Sequence, residues 1–124
     1  MKFGEVLSPK NVLIVGGAGY VGGHLVDLAV QAGHQIRVFD KLIYEDAYLK
    51  EIPFFFGDIN DPSALQPHLD WAEVVVWLAA VVGDPACALN PQLTVDTNVE
   101  AVKSLVANFS GRIIFTSTCS VYGA

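Results

Sequence analysis

The sequence carries little charge. Only 16% of its 124 residues are Asp, Glu, Lys or Arg, against 52% that are hydrophobic, and the mean hydropathy is +0.44. A self-sufficient soluble domain ordinarily shows more charge on its exposed faces, so part of this surface is expected to be covered. Positive charge is the scarcer kind. Seven Lys plus Arg stand against thirteen Asp plus Glu, a net charge of -6, and no basic stripe is present to neutralise a phosphodiester backbone. Nucleic acid is therefore not expected as a partner. Cysteine is nearly absent: Cys87 and Cys119 are widely separated, which fits neither a closely spaced metal pair nor a disulfide framework. No metal site is expected, and a reducing cytoplasm is the simpler setting. Long apolar runs are missing as well. Met1 to Lys10 has no run of signal-peptide length, and the longest apolar stretches are strand-sized and broken by glycine or charge, so no membrane span is expected.

What is present is a rhythm of short apolar segments. Val12 to Val15, Ile36 to Phe39, Phe54 to Phe56, Val74 to Leu78 and Ile113 to Phe115 are rich in β-branched and aromatic residues, and each reads as a buried strand. Between the first two, Val21, Leu25, Leu28, Ala29 and Ala32 recur at helical spacing, with His24, Asp27 and Gln31 opposite and Gly33 closing the segment. Asp61-Pro62 signals a helix start, although Pro67 is expected to shorten or bend the helix that begins there. Asn90-Pro91 starts a longer helix reaching Phe109, with Val95, Val99, Val102 and Val106 in one stripe and Ala101 and Leu105 beside it. The region Lys41 to Glu51 has weak periodicity and reads as loop with one helical turn at most. Alternating strands and helices imply right-handed crossovers, hence an α/β fold with a doubly wound parallel sheet of about five strands in order 3-2-1-4-5. Residues 1–124 then form one domain, with no internal repeat or linker.

The chemistry sits at the first strand-to-helix turn. Glycines at 16, 17, 19 and 22 follow the strand ending at Val15 and precede a helix starting near Tyr20. Glycine early in this loop permits a turn that a β-carbon would obstruct, Gly19 lets backbone reach a pyrophosphate, and Gly22 lets helix and strand pack closely. The N–H groups of Tyr20, Val21 and Gly22 would then face the anion, aided by the helix dipole. Asp40 ends the second strand about 20 residues beyond the loop, where a carboxylate can accept from both hydroxyls of an adenosine ribose. A 2′-phosphate would be repelled there, which favours NAD over NADP, but the adjacent Lys41 is a cation that could attract that phosphate. Asp58, just past the third strand, reads either as an acceptor for the adenine amino group or as a turn residue. Leu78-Ala79-Ala80 leaves room at the fourth strand's carboxyl end, and Thr116-Ser117-Thr118-Cys119-Ser120 places hydroxyls at the same rim. Gly83 to Cys87 reads as a loop near the substrate or a structural turn.

Val15-Gly16-Gly17-Ala18-Gly19-Tyr20-Val21-Gly22, with Asp58, Leu78-Ala79-Ala80, Asn98 and Ser117-Thr118-Cys119-Ser120-Val121-Tyr122-Gly123, resembles the extended short-chain dehydrogenase/reductase family. Its sugar-nucleotide epimerase and dehydratase branch is the nearest, and the fold implied is Rossmann-like. The resemblance implies a tightly held NAD that takes a hydride from a sugar carbon and returns it, with no net redox change. It assigns Asp40 to the ribose, Asp58 and Ile59 to adenine, and Leu78 to Ala80 to the wall near the cofactor phosphates and nicotinamide ribose. Thr118 takes the position of the catalytic Ser or Thr that orients the sugar oxygen, and Asn98 that of an asparagine supporting the site through its helix backbone; a buried polar helix residue is the other reading.

One departure matters most. The family's general base belongs to a Tyr-x-x-x-Lys motif after strand five, and the sequence stops at Ala124 before that helix. Tyr122 belongs to a Val-Tyr-Gly motif instead, and no lysine follows Lys103. The expectation is thus the NAD-binding part of a truncated epimerase/dehydratase, inactive alone. Its partners would be a nucleotide sugar in the complete protein, and a second copy or a complementary chain. The alternatives are a stand-alone non-catalytic dinucleotide-binding module, one half of a two-chain enzyme or, less in keeping with the Thr118 region, a flavin-binding domain.

Overall fold

Along the first strand, side chains alternate between two apolar neighbourhoods, and this period of two builds a sheet buried on both faces. The computed structural model describes residues 8–41, 51–79 and 91–116. Among these, the strands are β1 (Asn11–Val15), β2 (Gln35–Asp40), β3 (Phe54–Phe56), β4 (Val74–Trp77) and β5 (Arg112–Phe115). They pair in parallel, in spatial order β3-β2-β1-β4-β5, as expected. The region 42–50, expected as loop, lies outside the described residues.

Leu13 and Val15 point to one face, where they pack with Phe39, Val75 and Trp77 beneath two helices. Those helices are α2 (Pro62–Trp71), which contributes Leu65 and Leu69, and α4 (Ala101–Asn108), which contributes Ala101 and Leu105. Val12 and Ile14 point the other way, with Ile36, Val38 and Val76, onto Val26 of α1 (Tyr20–Gln31). Gly33 follows α1 with a left-handed backbone, φ 94°, and its N–H donates to the Val30 carbonyl.

Two local expectations are revised, and a third, the helix start at Asp61-Pro62, is met. Pro67 does not shorten α2, which runs for ten residues across it. Pro67 is exposed, so the carbonyl it leaves without a helical donor is on the wet side. Asp61 does sit at the N-cap, but its carboxylate accepts from the Ser63 hydroxyl at 2.7 Å and makes no hydrogen bond to the helix backbone. The long helix is interrupted: α3 (Pro91–Val95) leads into a π-helical turn, Asp96–Glu100, before α4 resumes. Its valine stripe is divided, with Val102 packed against the core. Val95, Val99 and Val106 are exposed, whereas Thr97, Ala101 and Leu105 are buried.

Candidate functional site

Parallel pairing brings all strand exits to one rim, and the register says which residues meet there. Val15 stands opposite Phe39 and Trp77, Asp40 opposite Phe56, and Trp77 opposite Phe115. The first residue past each pair carries the ladder one step further. Gly16 N–H donates to the Phe39 carbonyl (2.8 Å), Gly57 N–H to Asp40 (3.1 Å) and Leu78 N–H to Val15 (2.8 Å). The glycine loop, Asp40-Lys41, Gly57-Asp58 and Leu78-Ala79 are thereby assembled side by side.

Within the loop the glycines do different work. Gly16 has φ 83°, and a Cβ there would lie 2.7 Å from the Ala79 nitrogen. A Cβ on Gly22 would lie 2.5 Å from the Gly17 Cα, so the close approach is between the first turn of α1 and the loop itself. Gly19 is unlike both: its backbone is extended, and a Cβ would meet only the Gly16 carbonyl oxygen, at 3.9 Å. Nothing in the described protein needs Gly19 to be small. It is also the N-cap of α1, makes no side-chain cap, and precedes a first turn without acidic residues. Tyr20 and Val21 are exposed. The positive end of α1 therefore has neither a side-chain cap from Gly19 nor an acid in its first turn, and it opens beside the exposed Tyr20 and Val21, which suits a phosphate.

Asp40 has a role that its sequence context did not signal. Its Oδ2 accepts the Ala18 N–H at 2.9 Å, tying the loop to the end of β2. The parallel register brings this about, because it sets Asp40 diagonally across from the loop. Asp58 is held twice. Its Oδ1 accepts the Asn60 N–H (2.9 Å) in a turn, and its Oδ2 accepts from Lys41 Nζ (3.0 Å). Burial disfavours its charged form, but the Asn60 N–H and the Lys41 ammonium together outweigh that and hold the carboxyl below its usual range. The turn reading of Asp58 is thus realised, and Lys41 is paired with an acid.

Ile59 packs its side chain against the core under α2 and anchors this loop. Leu78 and Ala79 lean on opposite core clusters, one on each side of the sheet. Asn98 lies half-buried in the π-helical turn. Beside it, the buried Thr97 accepts from Asn60 Nδ2 through its hydroxyl at 3.1 Å, joining the β3 exit loop to the helix. Sequence reasoning missed this pair, which is not adjacent in the chain. Thr116 donates its hydroxyl to the Trp77 carbonyl at 3.2 Å. Ala80, Gly83 to Cys87, Thr118 and Tyr122 lie outside the described residues.

Residues 12–124 match the NAD dependent epimerase/dehydratase family. The chain belongs to that family. Its relatives include a UDP-N-acetyl-alpha-D-glucosaminuronate decarboxylase of Bacillus cytotoxicus, 30% identical over 92% of this chain and 38% of the relative. A UDP-glucose 4-epimerase of Neisseria meningitidis is 28% identical with the same coverages. The crystal structure of UDP-glucose 4-epimerase from Brucella ovis in complex with NAD superposes with a TM-score of 0.82 at 29% identity, over 93% of this chain and 38% of that one. The chain thus spans less than two fifths of the length of these epimerase/dehydratase relatives. Among the described residues no helix is long and apolar enough to cross a membrane, and no cluster of His, Cys, Asp and Glu could hold a metal ion.

Proposed function

We propose that this chain binds NAD, with the pyrophosphate on the Gly16 to Gly22 loop and the adenosine ribose at Asp40. The observation that carries the reading is Gly19. It is a glycine that the fold does not require, placed at an uncapped helix N-terminus with open space before it. Calorimetric titration tests it. The unaltered chain binds NAD, and Gly19→Val weakens binding by at least about ten-fold without changing thermal stability, because the new side chain fills ligand space only. Equal affinity of the two proteins for NAD would overturn the assignment.

In the family setting we infer that the chain is the dinucleotide-binding part of a cytoplasmic nucleotide-sugar epimerase or dehydratase. Bound NAD would supply a hydride acceptor for the sugar. The loop N–H groups of Tyr20 to Gly22 hold the phosphates, Asp40 orients the ribose, and the wall at Leu78 to Ala80 flanks the cofactor. Asp58 and Ile59 border the adenine, and Asn98 supports the site from its helix. Thr118, carried over from the family pattern, orients the sugar hydroxyl but has no base of its own. The sequence contains no Tyr-x-x-x-Lys, so the chain alone does not turn over nucleotide sugars, and catalysis draws that motif from another segment or a second chain. Turnover by rigorously purified material, lost on Tyr122→Phe, would overturn this and make Tyr122 the acting phenol.

Self-association or pairing with a complementary chain belongs to the same reading. The support is apolar surface: Ile114 and Phe115 are exposed on β5, and Val95, Val99 and Val106 on the helix that precedes it.

A further inference from the structure

Asp40 and Lys41 are consecutive, so an acid that suits a bare ribose and a base that suits a phosphorylated one leave β2 together. Which of them governs the rim depends on where the ammonium goes. Gly57 N–H donates to the Asp40 carbonyl at 3.1 Å, which brings the β3 exit against the β2 exit. Across that seam Lys41 Nζ reaches Asp58 Oδ2 at 3.0 Å. The anion is placed before the cation arrives. Asp58 Oδ1 takes the Asn60 N–H at 2.9 Å, and the Asp58 carbonyl takes the Asp61 N–H at 3.0 Å, so the carboxylate is fixed by a local turn.

Stability is a poor reason for this pair. The two side chains are 49% and 38% exposed, and ion pairs that wet contribute little to folding. Charge placement is a better one. We propose that the Lys41–Asp58 ion pair sets dinucleotide selectivity: Asp58 holds the Lys41 ammonium away from the ribose 2′ position and leaves Asp40 to repel a 2′-phosphate. The inference rests on the reading that the adenosine ribose lies at Asp40. A bare ribose loses nothing by this arrangement, since hydroxyls donate to Asp40. A 2′-phosphate meets a carboxylate whose neighbouring cation is already engaged.

The test compares NAD and NADP affinities by calorimetry on the 124-residue chain, on Asp58→Asn, on Lys41→Met and on the double variant. Asparagine keeps an oxygen for the Asn60 N–H, so the turn survives, and any contact of position 58 with adenine cancels in the ratio because both dinucleotides carry the same base. Asp58→Asn raises the affinity for NADP relative to NAD by about ten-fold at low salt, and the gain shrinks as salt screens it. The gain disappears in the double variant, and Lys41→Met alone moves the ratio by less than about two-fold. An unchanged ratio in Asp58→Asn, or an equal gain in the double variant, overturns the selectivity role while NAD binding stands. A large loss of NADP affinity in Lys41→Met alone also overturns it, because the ammonium would then already serve the phosphate. Failure of the unaltered chain to bind NAD overturns the underlying reading and this inference with it.

Discussion

Ile14 and Ile114 are the same residue in parallel strands of one sheet, and their surroundings differ completely. Ile14, in central β1, is 0% exposed, with α1 over it and strands on both sides. Ile114, in β5 at the sheet's edge, is 46% exposed, and its neighbour Phe115 is 53% exposed. The β1-β2 side is complete: two buried faces, a glycine loop stitched to Asp40, and an exit seam closed by Lys41 and Asp58. The β5 side has the same strand chemistry with less cover among the described residues: Ile113 packs against the core, whereas Ile114 and Phe115 are exposed. Apolar composition gives stability only where the fold supplies a second surface, and elsewhere it becomes adhesive.

Matched substitutions sharpen that contrast most strongly. Ile14→Ala should destabilise by about 2–5 kcal/mol in urea unfolding, since it empties a packed site, while Ile114→Ala should cost under about 1 kcal/mol. Equal costs would mean that β5 is covered in solution. Within the loop, Gly16→Ala should cost about 3 kcal/mol, because it combines a positive φ with a backbone collision at Ala79. Gly19→Ala should cost under about 0.5 kcal/mol, since it meets open space. A Gly16 variant as stable as the Gly19 variant would break the division of labour among the glycines.

The bare side predicts association. Sedimentation at rising concentration should show a species larger than the monomer, and Ile114→Lys with Phe115→Lys should return it to monomer with little loss of stability. A strictly monomeric unaltered chain at high micromolar concentration, with no bound partner, would remove the association. The net charge of -6 works against it, so added salt should strengthen the contact.

The smallest expected effect is a pH dependence on the complete side. His68 of α2 lies against the Phe39 and Phe55 rings, and its Nδ1 accepts from Arg37 at 3.3 Å. Arg37 itself stacks over Trp71, 4.3 Å from the ring centroid. Burial, then the Arg37 charge, pushes the imidazole below its ordinary range. Unfolding releases it to an ordinary value of about 6.5, so the unfolded chain binds the proton more tightly. The contribution of His68 is present above that value and is lost as the pH falls through the folded one. Urea midpoints should therefore drop as the pH falls below about 6.5, and His68→Gln should flatten that drop. An identical pH profile in the variant would assign the drop to other groups.

The strands, their order, α1 and the glycine loop were legible in the sequence because each rests on local spacing: β-branched runs, helical periodicity, and glycines between strand and helix. Pro67 was expected to shorten or bend α2 and does not shorten it, because proline's cost depends on its place in the helix and on whether the freed carbonyl faces water. The apolar stripe of the Pro91 to Phe109 segment was legible, but periodicity does not say which of its valines a neighbour covers: Val102 packs against the core, while Val95, Val99 and Val106 are exposed. The π-helical turn at Asp96–Glu100 has no spacing signature of its own.

By itself, the sequence determined the strands, the glycine loop and that strand exits would gather on one rim, since a right-handed crossover leaves a parallel sheet few alternatives. Only the tertiary structure decided which residues pair. The Ala18 N–H on Asp40, Lys41 on Asp58 and Asn60 on Thr97 join segments distant in the chain, and such partners are chosen by the register and exit angles of neighbouring strands and helices. The same holds for Ile14 and Ile114, whose chemistry is identical and whose burial comes from their places at the centre and the edge of one sheet.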